Sequence, residues 1–471
     1  MTNAPLPGAE ECFPGSGLQN LTVTGAAASI REGRLSPVAL VEALLKRIDA
    51  IDPLVRAWVT IDREQALAVA AQREAEAAAG RLRGPLHGIP VAVKDIFDVT
   101  DMVTTCGAAP VFHQRPTRDS AAVSRLREAG AVILGKVTTA EFAFFDPPET
   151  RNPWHLDHTP GGSSSGSAAA VAAGMVPLAL GSQTAGSVLR PAAYCGVVGF
   201  KPAHGRISCR GMAPLTPEFD HVGTFSRSVA DAALALDVLA GHDPADPLSR
   251  PDPPDDYTAS VSNQPDGVRL GFVRRPYLDR AVPEVAGHLE TTAARLANAG
   301  ATVEEVALPD SLQGLFDAGF RVMQVAAAAL HQDRFTHHSE QLGPKLRALI
   351  EAGMQLSGVD HVRAQYHCRR FKTDVAPLLA RVDALLLPVA DSTAPEGLAS
   401  TGDPSFCAPW SFTGFPAVAL PSGLAGNGLP MAVQLVASDE RSLLSVAAWC
   451  EAVFGIQPSP PLSASPAGFR E

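Results

Sequence analysis

Charge of either sign is scarce in this chain. Asp, Glu, Lys and Arg make up 18% of its 471 residues, against 46% hydrophobic residues. That ratio excludes a disordered polyelectrolyte and requires a large buried core. Basic residues are the scarcer sign: the formal net charge is −11, and no basic stripe breaks it. A nucleic-acid partner or an anionic membrane surface is therefore not expected. Aromatics are few at 6%, which favours closely packed helices of small residues over an aromatic-rich binding surface. The seven cysteines (Cys12, Cys106, Cys195, Cys209, Cys368, Cys407 and Cys450) are scattered, odd in number and never spaced as CxxC. This excludes a disulfide scaffold and a zinc site, and reads as a reduced cytoplasmic protein with no metal. Long hydrophobic runs are missing too. The most apolar stretch, Ala168 to Leu180, is shorter than the roughly 20 residues of a membrane span and contains Pro177. It reads as a buried helix followed by a strand. The first fifteen residues carry acids and prolines where a signal peptide needs basic and then apolar residues.

What is present is an alternation of helix and strand signals. Pro37–Ile51, behind Ser36 as N-cap, and the Ala- and Glu-rich Glu64–Arg81 read as helices. Pro90–Val93 reads as a strand. Ser120–Glu128 reads as a helix closed by Gly130 and feeding a strand at Ala131–Leu134. The same order recurs at Glu284–Ala299, Gly300 and Thr302–Leu308. Further strands are expected at Val268–Val273, Ala384–Pro388, Ala417–Pro421 and Met431–Val436, with a closing helix at Arg441–Phe454. Helix–Gly–strand units of this kind indicate an α/β layer architecture. The stretch Asp243–Gly267, dense in Pro, Asp and Ser, is either a domain linker or a surface loop within one sheet. We read the chain as one large domain over 1–471, with a flexible tail at about 457–471.

The chemistry concentrates between Gly84 and Pro202. Thr159–Ser167 reads TPGGSSSGS and Gly181–Pro191 reads GSQTAGSVLRP. Gly and Ser at this density let the backbone pass close to a substrate and aim several N–H groups at one point, as an acyl-transfer enzyme requires for its oxyanion. A flexible linker would not be followed by the apolar AAAVAAGMVPLAL. Gly162–Gly166 formally satisfies G-x-S-x-G, which would make Ser164 the nucleophile of an α/β-hydrolase. The preceding segment reads as loop rather than strand, and His204, His221 and His242 lack an evident acid partner. No Walker-type phosphate loop is present. In LHGIPVAVKDIF (Leu86–Phe97), a lysine stands in an apolar strand, where Lys is rarely found. Strand alternation points Lys94 away from Asp95. If desolvated, Lys94 would serve as a neutral general base; the alternative is that it snorkels or pairs structurally.

Taken together, Gly88–Asp95, Pro160–Ser164 and Gly181–Ser187 resemble the amidase signature family, whose pattern joins a Gly-Ile-Pro-x-x-x-Lys-Asp strand, a Pro-Gly-Gly-Ser-Ser loop and a Gly-Ser-x-Thr-x-Gly-Ser nucleophile loop, and Ala192–Pro202 is similar as well. The signature core spans about 84–202. The resemblance implies a twisted mixed sheet flanked by helices, with Ser187 as the acylated nucleophile, Ser163 as a bridging serine after a cis Gly162–Ser163 bond, and Lys94 as the base. It further implies an oxyanion hole from the N–H groups of Thr184, Ala185, Gly186 and Ser187. No metal or organic cofactor is implied. A homo-oligomer is compatible with the resemblance.

Three positions depart from the family pattern: Ser165 and Ala185 replace Gly, and Gln183 replaces Asp. Ser163–Ser167, Gln183 and the order Val188-Leu189-Arg190-Pro191 resemble the malonamidase-like branch, in which the equivalent of Arg190 holds a substrate carboxylate; Leu398–Pro404 is less specifically similar. A guanidinium suits such a bidentate clamp, but it suits equally a brace on loop carbonyls. Phe144 and Phe145, with Trp410, Phe412 and Phe415, offer an apolar wall for an aryl or extended acyl group, or simply core. The expected activity is hydrolysis of small-molecule amides, extending to aryl carbamates (urethanes) or esters. Two other readings are an amidotransferase component that releases ammonia from glutamine for a partner, and a non-catalytic binding protein on the same fold.

Overall fold

The computed structural model describes residues 21–462 except 110, 263, 264, 266, 456 and 457. The acid- and proline-bearing start of the chain and most of the expected tail lie outside the described residues. Among the described residues there are eleven strands: β1 (Trp58–Ile61), β2 (Pro90–Lys94), β3 (Val132–Val137), β4 (Leu178–Gln183), β5 (Val198–Lys201), β6 (His221–Ser226), β7 (Arg269–Phe272), β8 (Thr302–Glu305), β9 (Ala384–Pro388), β10 (Ala417–Leu424) and β11 (Pro430–Val436). They form one sheet in the order β1-β3-β2-β4-β6-β5-β10-β11-β9-β7-β8. β2 runs parallel to β3 and β4, and β7 parallel to β8 and β9, while the pairs through the middle are antiparallel. The sheet is thus mixed, as expected, and Asp243–Gly267 is a connection between two strands of that sheet.

Local sequence explains the elements that frame the site. Ser36 caps helix Pro37–Val55 by accepting from the Ala39 N–H, Pro37 opens it, and Leu40, Val41, Leu44, Leu45, Ile48 and Ile51 form its buried stripe. β2, β3 and β4 have no partly exposed residue, because helices cover both faces of the sheet there. One of those helices, Ser165–Ala172 (SGSAAAVA), is buried on every side. Its small residues let it lie tight on the strands. A Cβ on Gly166 would come within 2.4 Å of the Ala57 carbonyl oxygen, so this position accepts glycine only. Gly161, at φ +79°, turns the chain into the segment that carries Ser163.

The sequence reading missed three long helices, Leu315–His338, Pro344–Gln355 and Gly358–Leu379. They form a unit fastened to the loop after β3. Glu141 Oε2 accepts from the Gly343 N–H at 2.7 Å, and Asp146 accepts from the N–H groups of Lys345 and Leu346 at the start of Pro344–Gln355. The same loop meets the site at its other end, where the Ala140 N–H donates to the Ser163 carbonyl at 3.0 Å. Among the described residues no helix is long and apolar enough to cross a membrane, and no cluster of His, Cys, Asp and Glu is arranged to hold a metal ion.

Candidate active site

Three lysines, on adjacent or nearby strands, have no exposed surface: Lys94, Lys136 and Lys201. Their partners separate them. Lys136 forms an ion pair with Asp95 at 2.8 Å and donates to Thr104 Oγ1 and the Phe97 carbonyl. Lys201 donates to the carbonyls of Phe415 (2.6 Å) and Pro202 (3.2 Å). Lys94 Nζ instead meets two serine hydroxyls, Ser163 Oγ and Ser182 Oγ, each at 2.8 Å. Carbonyls and carboxylates only accept, whereas a hydroxyl can reverse its role and donate. Lys201 meets carbonyls only, and Lys136, though it also meets the Thr104 hydroxyl, is held by the Asp95 carboxylate while that hydroxyl donates to the Phe97 carbonyl. Of the three amines, then, Lys94 is the one placed to take a proton from its neighbour.

Burial pulls the Lys94 ammonium down to about 7, and the Asp220 carboxylate pulls it back upward. Lys201 is also drawn down to about 7 by burial, so a lowered value alone does not mark a base. At neutral pH a large share of Lys94 is the free amine, with two N–H donors and one lone pair. It can donate to Ser182 while accepting from Ser163. Asp95 faces the other way, toward Lys136 and Thr105, as strand alternation required.

The Gly162–Ser163 peptide bond is cis. Ser164, the alternative nucleophile, is the N-cap residue of Ser165–Ala172; its hydroxyl donates to the Ser182 carbonyl at 3.1 Å and it follows no strand. His221 and His204 each put one ring nitrogen on a backbone carbonyl, of Phe219 and Pro217, and among the described residues neither ring bonds a serine hydroxyl.

Ser187 lies in the tight turn between β4 and helix Leu189–Cys195. The backbone N–H groups after it are all engaged: Val188 and Leu189 donate to Gln183 Oε1, and Arg190 to the Gly186 carbonyl. Among the described residues none accepts from the N–H of Thr184, Ala185, Gly186 or Ser187. Four consecutive unengaged donors beside a serine constitute a concave anion-binding arrangement. Thr184 is held from the side by its hydroxyl, which donates to Asp220 Oδ1 at 2.5 Å; Asp220 Oδ2 accepts from the N–H groups of Leu215 and Thr216.

Arg190 is buried. Its Nε donates to the Thr401 carbonyl and its Nη2 to the Gly162 carbonyl, both at 2.6 Å, with Thr401 Oγ1 at 3.2 Å from Nη2. Nη1 alone has no partner among the described residues, so a two-nitrogen clamp is not available as the chain stands. Phe144 and Phe145 pack on one another at 4.6 Å and join Phe320, Phe316, Phe412 and Phe219 in a continuous chain of rings 4.6–6.5 Å apart. Trp410 is a correction to the sequence reading. It has no exposed surface and packs on Phe371 of helix Gly358–Leu379, so it belongs to the core. Sequence reasoning did not single out Ser182, Asp220, Thr401 or Ser411. Ser182 lies inside the signature, and its place two residues before Thr184 was the available signal; the other three lie outside it.

The amidase family profile matches residues 39–443. The chain belongs to the amidase signature family. A glutamyl-tRNA(Gln) amidotransferase subunit from Roseiflexus castenholzii is 35% identical over 466 residues, covering 91% of this chain and 95% of that protein. Among solved structures, 6-aminohexanoate cyclic dimer hydrolase complexed with substrate superposes with a TM-score of 0.83 at 29% identity, covering 93% of this chain and 97% of that one. Peptide amidase from Stenotrophomonas maltophilia superposes with a TM-score of 0.80 at 32% identity, covering 93% and 98%. The single mixed sheet flanked by helices is the fold of these enzymes, and hydrolysis of C–N bonds is the chemistry of the family.

Proposed function

We propose that this chain hydrolyses small-molecule amides through an acyl-enzyme on Ser187, and that it favours neutral, apolar acyl groups. The observation that carries this reading is the fully buried amine of Lys94, drawn down to about 7 and bonded to serine hydroxyls alone. Lys94 takes the Ser163 proton as Ser163 takes that of Ser187, and Ser187 Oγ attacks the carbonyl carbon. The oxyanion is received by the N–H groups of Thr184, Ala185, Gly186 and Ser187. Return of the proton along the same route neutralises the departing nitrogen as the C–N bond breaks. Water then enters by the reverse path and releases the acid. Carbamates and esters pass through the same oxyanion and fall within reach of this machinery.

The preference for neutral acyl groups rests on two features. Arg190 spends Nε and Nη2 on backbone carbonyls, which makes it a brace for the Gly162 and Thr401 segments. The phenylalanine chain from Phe145 to Phe219 links the loop beside Ser163 to the residue preceding Asp220, and so offers an apolar wall. The test compares matched amides with an anionic acyl group, neutral aryl amides and aryl carbamates, with Ser187→Ala as blank. Turnover of the neutral sets is expected; preference for the anionic set would make Arg190 the clamp.

The similarity to an amidotransferase component favours a second reading, in which ammonia from glutamine is released for a partner. Serine-dependent glutaminase activity that requires a co-purifying protein would establish it. A protein that a fluorophosphonate fails to label at Ser187 would instead be a binding protein on this fold.

A further inference from the structure

The side-chain amide of Gln183, at the end of β4, faces partners with opposite demands. Its Oε1 accepts from the backbone N–H groups of Val188 at 2.8 Å and Leu189 at 3.0 Å. Those groups can only donate, which fixes which way the amide is turned. Nε2 therefore faces Ser411 Oγ, 2.9 Å away, and donates to it. Ser411 is left with its own proton to give, and its Oγ lies 2.8 Å from the carbonyl oxygen of Ala185, which can only accept. The relay has one direction at every step. It is also dry: Gln183 is 0% and Ser411 1% exposed.

In a planar trans peptide the C=O and the following N–H point in opposite directions. Holding the Ala185 carbonyl on Ser411 therefore turns the Gly186 N–H away from Ser411, and that N–H is one of the four without an acceptor among the described residues. We infer that Gln183 and Ser411 are positioning residues that lock the Ala185–Gly186 peptide with its N–H turned to the oxyanion. The inference rests on the acyl-enzyme reading above. It also gives a role to one departure from the family pattern. An ionised Asp at position 183 accepts only and is one methylene shorter, so it cannot donate to Ser411 as the Gln183 amide does. Glutamine both accepts and donates, and so completes the relay.

The test measures kcat and KM on p-nitrobutyranilide, and the rate of fluorophosphonate labelling, for wild type, Ser411→Ala, Gln183→Glu and the double variant, with Ser187→Ala as blank. An ionised Glu keeps an acceptor for Val188 and Leu189 but cannot donate to Ser411. Each single variant is expected to lose about 100-fold in kcat, the low end for losing one oxyanion donor, with KM within about twofold. The double variant should be no more than about twofold worse than the poorer single, since both break one relay. The acid limb of the pH profile should not move in Ser411→Ala, because the proton path through Lys94 is untouched. Retained kcat in Ser411→Ala, losses that multiply in the double variant, or a loss carried by KM would each overturn the inference. If wild type itself shows no Ser187-dependent labelling, the acyl-enzyme reading fails separately. Crystal structures of the two single variants then decide: rotation of the Ala185 carbonyl supports the lock, and an unmoved carbonyl refutes it.

Discussion

Replacing Lys94 by Met should abolish turnover and raise the stability of the fold, both through the burial of one amine. In the unfolded chain the amine ionises at its ordinary value of 10.5, and in the fold at about 7. Below pH 7 the folded state carries the full cost of a charge it disfavours. As pH rises above 7 the folded amine is already neutral while the unfolded one still binds its proton, so the cost fades until the unfolded value is passed. At 1.36 kcal/mol per pH unit it amounts to about 4 kcal/mol at pH 7 and about 2 kcal/mol at pH 9. Methionine fills a similar length with apolar atoms and removes this cost, but it forfeits the bonds to Ser163 and Ser182, worth about 1 kcal/mol each. The net expectation is a gain of about 2 kcal/mol at pH 7 that shrinks to about zero at pH 9. Denaturant titrations of both proteins at the two pH values, at unchanged m, measure it. A variant no more stable than wild type at pH 7, or a difference that ignores pH, would refute the claim that burial sets the Lys94 ionisation. Residual Ser187-dependent turnover in Lys94→Met would refute its role as base.

Other residues give further expectations. The Asp220 carboxylate raises the Lys94 value against burial, so Asp220→Asn should lower it further and move the acid limb of kcat/KM to lower pH; a limb that stays in place removes Asp220 from the electrostatics of the base. Asp95→Asn would leave the buried Lys136 ammonium without its counter-charge and should cost about 3–5 kcal/mol in denaturant titration, where a loss below about 1 kcal/mol would contradict the pairing. Arg190→Met strips donors from the Thr401 and Gly162 carbonyls and should cost about 2–4 kcal/mol of stability. Its ratio of activity on anionic against neutral acyl amides should stay within about twofold, whereas a selective loss on the anionic amides would identify a clamp.

The relay residues were legible in the sequence because short motifs hold them on neighbouring segments. Lys94 ends a strand, and Ser163 and Ser187 occupy Gly-rich turns whose composition states what the backbone must do. Alternation alone separated Lys94 from Asp95. What alternation cannot reveal is a strand covered on both faces. β5 (VGFK) and β6 (HVGTFS) are buried throughout and carry no period-2 signal; both went unread, as did the four-residue β1. The helices between Leu315 and Leu379 were missed for another reason. The first and longest buries small residues such as Ala318, Gly319, Ala327 and Ala328, a weak apolar stripe beside runs of alanine. Trp410 shows the converse limit: an aromatic near a site in sequence can face either way, and only packing on Phe371 decides. Asp220, Thr401 and Ser411 act on the nucleophile loop from 36, 211 and 226 residues away, with no local pattern to mark them.

The departures from the family pattern gain physical sense once these distant contacts are in view. Ser165 donates to the Gly161 carbonyl at 2.7 Å, a bond that glycine at that position cannot make, and so ties down the turn that carries Ser163. Gln183 works through Ser411 on the Ala185 carbonyl and ties down the turn that carries Ser187. Each substitution places a side-chain donor, direct or relayed, on a loop carbonyl, and the two tethers hold the two serines of the proton path from different strands of chain. Arg190 adds a third bond, to the Gly162 carbonyl between them. Preorganised donors stabilise a developing oxyanion only while the loop that presents them does not relax. In a site otherwise built of Gly, Ser and Ala, whose side chains offer little packing to resist such movement, the extra bonds from Ser165, Gln183 and Arg190 supply that rigidity.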